Sequence, residues 1–297
     1  MAFYHVGLNG QIVPASEAQV SLLHTALLNG FGIYESIEVI SGRPFHLDEH
    51  MARLADSARL IEIDLPYAPD EIGGWVRRLT QTVDEDCILR IVVLGAASEG
   101  DSVIVAILPQ LLPRYPEQYY RQGVRLVTYE GCRHMPACKS LSTLVNFLAR
   151  RHAAHAGVHE AILSCDGQLT EGSRSNIFAV QHSELLTPPA GQVLSGITRD
   201  IVMRLAGEAG YPVRERCLWL AELPKYDEFF ITSTSMHVIP VVEVDNIPVN
   251  RGQVGRIAAE MVRRFEDYHR RYFETACQMS YIKYPAAADR PRSTPDV

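Results

Sequence analysis

The stretch "GIYESIEVISGRPFHLDEHMARLADSARLIEI", residues 32–63, changes its hydrophobic period part-way along. Residues 32–46 alternate apolar and polar side chains around Ser41-Gly42, which reads as strand, tight turn and strand. From Leu47 the spacing lengthens, and Leu47, His50, Met51, Leu54, Ser57, Ala58 and Ile61 fall on one helical stripe. A hairpin that runs straight into an amphipathic helix marks an α+β unit. Its surroundings agree. "AFYHVGLNGQIVPASEA", residues 2–18, is a hairpin about Asn9-Gly10, and "PDEIGGWVRRLTQTV", residues 69–83, is a second helix. "CILRIVVLGAA" and "DSVIVAILPQ", beginning at residues 87 and 101, read as buried strands of one sheet. Residues 1–112 are expected to form a small α+β domain.

Residues 113–123 fall in "LLPRYPEQYYRQG", which has two Pro and little periodicity, and read as an interdomain linker. A larger domain is expected over residues 124–275. It starts with the strand "VRLVTYE", followed by a helix in "LSTLVNFLARRHAAHAG" with Leu141, Leu144, Val145 and Leu148 at helical spacing and Gly157 as its stop. Residues 160–189 read as three short strands with turns at Asp166-Gly167 and His182-Ser183. The helix "GITRDIVMRLAGEAG", the strands "DEFFITSTS" and "VIPVVEVDN", and the amphipathic helix "QVGRIAAEMVRRFEDYHRRYF" complete it. Residues 276–297 form a Pro-rich tail.

The chain has 297 residues, 47% of them hydrophobic, which suffices for two domains. A formal net charge of −7 argues against nucleic acid or an anionic membrane as partner and points to small molecules. No window reaches 18 consecutive apolar residues, and "MAFYHVGLNG" has no basic segment ahead of an apolar run, so a cytoplasmic location is expected. The six Cys form no C-x-x-C pair and stand at no metal spacing with His, so reduced thiols and no metal site are expected.

Of 28 Lys plus Arg only three are Lys: Lys139, Lys225 and Lys283. Lys139 sits among small residues in "PACKSL", just ahead of an apolar helix, whereas Lys225 is in a polar loop and Lys283 in the tail. A desolvated Lys has a lowered pKa and becomes an amine nucleophile, which is what a Schiff base with an aldehyde cofactor requires. Such a cofactor also needs an electron sink and an anchor. Glu171, in "TEGSRSN", can keep a pyridine nitrogen protonated, although taken alone it is an ordinary turn residue. "SGITRD" is a Gly-led turn opening a helix, so the N–H groups of Ile197 and Thr198 are free to hold a phosphate; an N-cap by Thr198 is compatible with this. Ser233 and Thr234 in "TSTS" add hydroxyl donors, and Arg53 in "HMARL" adds a guanidinium.

With these residues in order, the chain resembles the class IV, or fold-type IV, pyridoxal-phosphate aminotransferases, which include D-amino-acid transaminases, branched-chain aminotransferases and aminodeoxychorismate lyases. The resemblance spans about residues 4–265 and is carried by "GIYESIEVISGRPFHLDEHMARLADSA", "KSLSTL", "HEAIL", "LTEGSRSNIF", "LLTPP", "GITRD", "DEFFITSTS" and "IPVVEVD". It implies pyridoxal 5′-phosphate as cofactor, bound between a small α+β domain and a larger β-barrel-like domain, and a homodimer. It implies that Lys139 forms the Schiff base and shuttles the proton, and that Glu171 pairs with the pyridine nitrogen. Arg53, Ile197, Thr198, Ser233 and Thr234 would hold the phosphate, Tyr34 would line the substrate pocket, and Arg133 would support the site.

The expected reaction transfers an amino group between an amino acid, D-amino acids favoured, and a 2-oxo acid. A branched-chain L-amino-acid aminotransferase or a lyase of the aminodeoxychorismate type is the alternative. Two signatures are missing. The loop "LGAASEGDS" lacks the Arg and His of D-amino-acid transaminases, and Glu38 stands where branched-chain enzymes place an Arg. Glu38 is either an outward strand residue or a pocket carboxylate near Tyr34 and Ser36 that favours a substrate with a distal cation.

Overall fold

The alternation in residues 32–40 sorts two sets of side chains onto opposite faces of one strand. The computed structural model describes residues 4–98 and 100–282, with side chains described as far as residue 274. A six-stranded sheet contains β1 (His5–Leu8), β2 (Gln11–Pro14), β3 (Gly32–Ile40), β4 (Arg43–Pro44), β5 (Cys87–Leu94) and β6 (Ile104–Leu111). Its order is β2-β1-β6-β5-β3-β4. Helix α1 (Thr25–Asn29) leads into β3, and α2 (Leu47–Leu60) and α3 (Pro69–Thr80) cover one face. Ile33, Ile37 and Val39 of β3 pack against Leu47, Met51 and Leu54 of α2 and Ile72, Val76 and Leu79 of α3. Tyr34 and Ser36 turn to the opposite face.

The second sheet follows α4 (Glu117–Gln122) and comprises β7 (Val124–Glu130), β8 (Glu160–Cys165), β9 (Gln168–Gly172), β10 (Asn176–Gln181), β11 (Glu184–Thr187), β12 (Val213–Glu215), β13 (Leu218–Trp219), β14 (Glu228–Ser233), β15 (His237–Val244) and β16 (Ile247–Pro248). Its order is β12-β11-β10-β14-β15-β7-β8-β9-β13, with β16 paired to β15. Helix α5 (Leu144–His155) packs on β7 and β8, while α6 (Ile197–Glu208) and α7 (Arg256–Ile282) bury Val202, Leu205, Met261 and Phe265 with Phe178 and Phe230 of β10 and β14. The fold is the mixed α and β arrangement expected, with the two sheets built from residues on either side of the 113–123 segment. Asn9-Gly10, Ser41-Gly42, Asp166-Gly167 and His182-Ser183 all have positive φ at both positions, the signature of tight hairpin turns.

Several expectations need correction. Residues 160–187 form four strands, β8 to β11, because "QLTEG" and "NIFAVQ" are separate strands on either side of the Ser173–Ser175 bend. The 113–123 segment is not all irregular: Glu117–Gln122 is helical, and Tyr119 and Tyr120 pack on the cores beneath it. Helix α7 runs to Ile282, past the expected start of the tail at 276, and the Pro-rich residues 284–297 lie outside the described residues. The leucine stripe of α5 does not face inward. Leu144 is 69% and Phe147 46% exposed, and the buried face is Ala149 and Ala153, small enough for the helix to lie close on Ala161 and Leu163. The thiols are not all reduced either, since Cys132 and Cys165 form a disulfide. β7 and β8 run in parallel register, Glu130 beside Ser164, so Cys132, two residues past β7, meets Cys165 at the end of β8 although they are 33 positions apart.

The start of α7 is held by a side chain from another element. Glu228 of β14 accepts hydrogen bonds from the backbone N–H groups of Ile257 (3.1 Å) and Ala258 (2.7 Å), putting a carboxylate at the positive end of the helix. Bonds to a charged acceptor contribute about 1.5–3 kcal/mol. Glu228→Ala is expected to cost about 2 kcal/mol or more, read as a lower urea midpoint, with Glu228→Gln losing less because it keeps an acceptor oxygen.

Candidate active site

Lys139 owes its position to the first sheet, although it belongs to a loop of the second. The Tyr34 N–H donates to the Lys139 carbonyl (2.9 Å), the Leu141 N–H donates to the Gly32 carbonyl (2.8 Å), and Ser140 bridges to Ile33. From α2, Ser57 Oγ accepts the Lys139 N–H at 3.1 Å. The approach is so close that a Cβ on Gly32 would collide with the Val93 carbonyl and stand 2.6 Å from Leu141, so only glycine fits there. This clamp aims the Lys139 side chain into a cavity of about 350 Å³ between the sheets. Its Nζ lies 4.7 Å from the centre of the Tyr34 ring. Burial lowers the Lys139 pKa, with the nearby Arg53 and Arg133 charges adding to the effect. Among the described residues no carboxylate forms an ion pair with it. In turn the Lys139 charge draws the Tyr34 hydroxyl below its usual range.

The opposite wall comes from β9 and the bend after it. Glu171 is buried and accepts from Arg133 Nη1 (2.8 Å) and from the Leu194 N–H (3.2 Å). Arg133 also donates to the carbonyls of Pro136 (2.9 Å) and Cys138 (2.5 Å), so one guanidinium ties Glu171 to the segment that carries Lys139. Glu160, fully buried in β8, accepts from Ser173 Oγ (3.0 Å), the Arg174 N–H (2.7 Å) and Ser175 Oγ (3.2 Å), which shapes the bend. Burial raises the pKa of Glu160 against these bonds.

At the floor, Gly196 precedes α6, and no side chain caps the first turn, so the Ile197 and Thr198 N–H groups remain available. A Cβ on Gly196 would collide with Asn176 Oδ1. Thr232, Ser233, Thr234 and Ser235 lie alongside, and the buried Thr232 hydroxyl has no hydrogen-bond partner among the described residues. Arg53 closes this end. It grips Glu35 through Nε (2.7 Å) and Nη2 (2.8 Å) and donates from Nη1 to the Ser195 carbonyl (2.9 Å).

A family model described as Amino-transferase class IV matches residues 32–244. The chain is a class IV aminotransferase. A Methanocaldococcus jannaschii protein named "Putative branched-chain-amino-acid aminotransferase" is 37% identical over 88% of this chain and 94% of its own. The D-alanine aminotransferase of a Staphylococcus aureus strain is 34% identical over 88% of this chain and 96% of its own. Among solved structures, the branched-chain aminotransferase of the archaeon Thermoproteus uzoniensis with norvaline superposes with a TM-score of 0.80 at 30% identity, covering 88% of this chain and 93% of that one.

Nine of the ten residues singled out from the aminotransferase sequence line this one cavity: Tyr34, Arg53, Arg133, Lys139, Glu171, Ile197, Thr198, Ser233 and Thr234. Glu38 does not. It shares the face of Tyr34 and Ser36 but lies further along β3, where His237 and His269 stand against its carboxylate. Thr198 is not the N-cap, because Gly196 takes that position. The sequence reading passed over Arg90. It pairs with Ser36 across β3 and β5, lines the cavity, and places its guanidinium 4.1 Å from the Tyr34 ring centre. An Arg inside the apolar run "ILRIVVL" was the available signal. Glu35, Ser57, Glu160 and Asn176 were also missed, and they gave no signal, since each acts through contacts distant in sequence.

The buried lysine sets a pH dependence. Its folded pKa lies below its unfolded value of 10.5, so the unfolded chain holds more protons between the two, and the penalty for burying it is full below the folded pKa. In cofactor-free protein, Lys139→Met is therefore expected to raise stability near neutral pH. Denaturant midpoints of the two proteins should converge as pH rises towards 10.5.

Proposed function

We propose that this aminotransferase binds pyridoxal 5′-phosphate in the Lys139 cavity and moves an amino group between an amino acid and a 2-oxo acid. The single observation that supports this most is the convergence on one cavity of a buried amine without a carboxylate partner, a carboxylate braced by an arginine, and an uncapped helix start. The residues fit the group. The Ile197 and Thr198 N–H groups, the hydroxyls of Ser233, Thr234 and the unpartnered Thr232, and Arg53 would hold the phosphate. Glu171 would face the ring nitrogen. When bound, the cofactor supplies an aldehyde that accepts the amino group and a ring that takes up the electrons of the Cα–H bond.

The chain's own residues do the rest. Lys139 would take the proton from the substrate Cα and return it on the other side of the transfer, and its lowered pKa favours the uncharged amine that this needs. Arg133 pairs with Glu171 and keeps it oriented. Arg90 has no carboxylate partner among the described residues and sits beside Tyr34 at the cavity wall, suited to receive a substrate carboxylate. This would replace the Arg and His absent from the 94–102 loop.

The substrate reading favours D-amino acids, supported by the likeness to D-alanine aminotransferases; the likeness to branched-chain enzymes supports the second reading. We further infer a homodimer, because Leu22, Leu23, Leu28 and Leu144 are large apolar side chains left exposed, which a second copy would cover. A cytoplasmic location is inferred from Cys87, Cys138 and Cys217, which are free thiols, while the Cys132–Cys165 disulfide is the feature that favours an oxidising compartment.

Adding D-alanine to the purified protein is expected to bleach its visible absorption, which a 2-oxo acid restores. Bleaching by L-leucine alone selects the branched-chain reading, and pyruvate released with no acceptor present selects a lyase. Lys139→Ala is expected to cut turnover by at least about 10²–10⁴-fold. Arg90→Gln is expected to raise KM about 10–100-fold with a smaller change in kcat, matching the loss of one charge-assisted contact.

A further inference from the structure

Glu38 is a buried carboxylate, only 3% exposed, and no Lys or Arg reaches it among the described residues. A buried anion needs a cationic partner or a metal. What surrounds it is a pair of imidazoles from two other elements. His237 Nε2, at the start of β15, stands 3.2 Å from both carboxylate oxygens, and His269 Nε2, on α7, stands 2.7 Å from Oε2. All three ligand atoms lie within 4.8 Å of one another. Aromatic rings wall the group: Phe265 beside His237, Phe45 and Phe273 beside His269.

We propose that Glu38, His237 and His269 form a binding site for one divalent transition-metal ion of the zinc class. Ligand atoms each about 2.1 Å from a common zinc, at angles of about 90–110°, stand about 3.0–3.4 Å apart, so the two Glu38–imidazole distances need shift by only a few tenths of an ångström, and the two Nε2 atoms, within 4.8 Å of each other, draw together around the ion. Two neutral imidazoles and one carboxylate suit zinc, cobalt or nickel and leave a position for water. Both rings turn Nε2 inward, so as the ion enters each ring gives up its Nε2 proton and carries one on Nδ1 instead, which keeps both imidazoles neutral. His237 is held there by a left-handed backbone, φ 58°, which a side chain adopts at a cost that the surrounding structure must outweigh.

The ion's place defines its effect. Its ligands come from β3 of the first sheet and from β15 and α7 of the second, so it would pin the two together. His237 follows Ser235 by two residues, so the same pin steadies the hydroxyl-rich cavity floor.

The test uses tag-free holoenzyme, stripped with a chelator and then dialysed against micromolar Zn²⁺ or Co²⁺, with metal per chain and the visible cobalt spectrum as readouts. One equivalent per chain is expected, with a cobalt spectrum of nitrogen and oxygen ligation and a higher melting temperature in zinc than in chelator. His269→Gln, at a partly exposed position, is expected to weaken binding at least about 100-fold, more than the roughly 10–100-fold that a change outside the ligand set costs. Glu38→Gln should do the same, while His155→Gln on the exposed face of α5 should leave binding unchanged. Wild-type enzyme that retains no metal would show a hydrogen-bonded triad and overturn the proposal. So would metal that stays bound in a folded His269→Gln enzyme. The wild-type measurement decides even if a variant fails to fold.

Discussion

Two backbone hydrogen bonds, Tyr34 N–H to the Lys139 carbonyl and Leu141 N–H to the Gly32 carbonyl, hold the site together. They graft a three-residue piece of a loop onto the edge of β3 as if it were a further strand. Every other part of the cavity is positioned relative to that graft. The amine of Lys139 faces Tyr34 because their backbones are joined, and Arg133 can link Glu171 to the Cys138 carbonyl because that carbonyl cannot move away. Gly32 is the physical condition for the graft, since a side chain there would collide with the Val93 carbonyl.

Charge is distributed so that the cavity stays cationic without repelling itself. Arg53 is neutralised from behind by Glu35, whose carboxyl is held well below the usual range because Arg53 and His50 outweigh the burial penalty. Arg133 is neutralised by Glu171. Lys139 and Arg90 have no such partner among the described residues and share the face of Tyr34 instead. Paired and unpaired cations together are what a site needs if it must hold one phosphate and one carboxylate and keep a reactive amine. Glu38 stands apart from this balance, with only imidazoles for company, and for that reason it forms a separate centre.

Periodicity made the elements legible. The stripe on residues 47–58 is the face that α2 buries, and the four two-residue turns fall where Gly, Asn, Asp or Ser permit positive φ. It failed on α5, where Leu144, Phe147 and Leu148 point out while Val145 and the alanines pack in, because close helix–sheet contact selects small side chains and leaves large ones for the exposed surface. Local sequence also could not pair Cys132 with Cys165, which requires knowing that β7 and β8 are parallel neighbours.

The residue types of the site were determined by the sequence: one lysine among small residues, a carboxylate on a strand end, a glycine opening a helix, and a run of hydroxyls. Those follow from chemistry that each short segment carries alone. Which residues meet was decided only by the tertiary structure. Alternation put Tyr34, Ser36 and Glu38 on one face, yet Glu38 does not line the cavity, because β15 and α7 bring His237 and His269 against its carboxylate. Arg90 enters the cavity through its register with Ser36, a pairing between strands about 50 residues apart, and no local pattern records such a register.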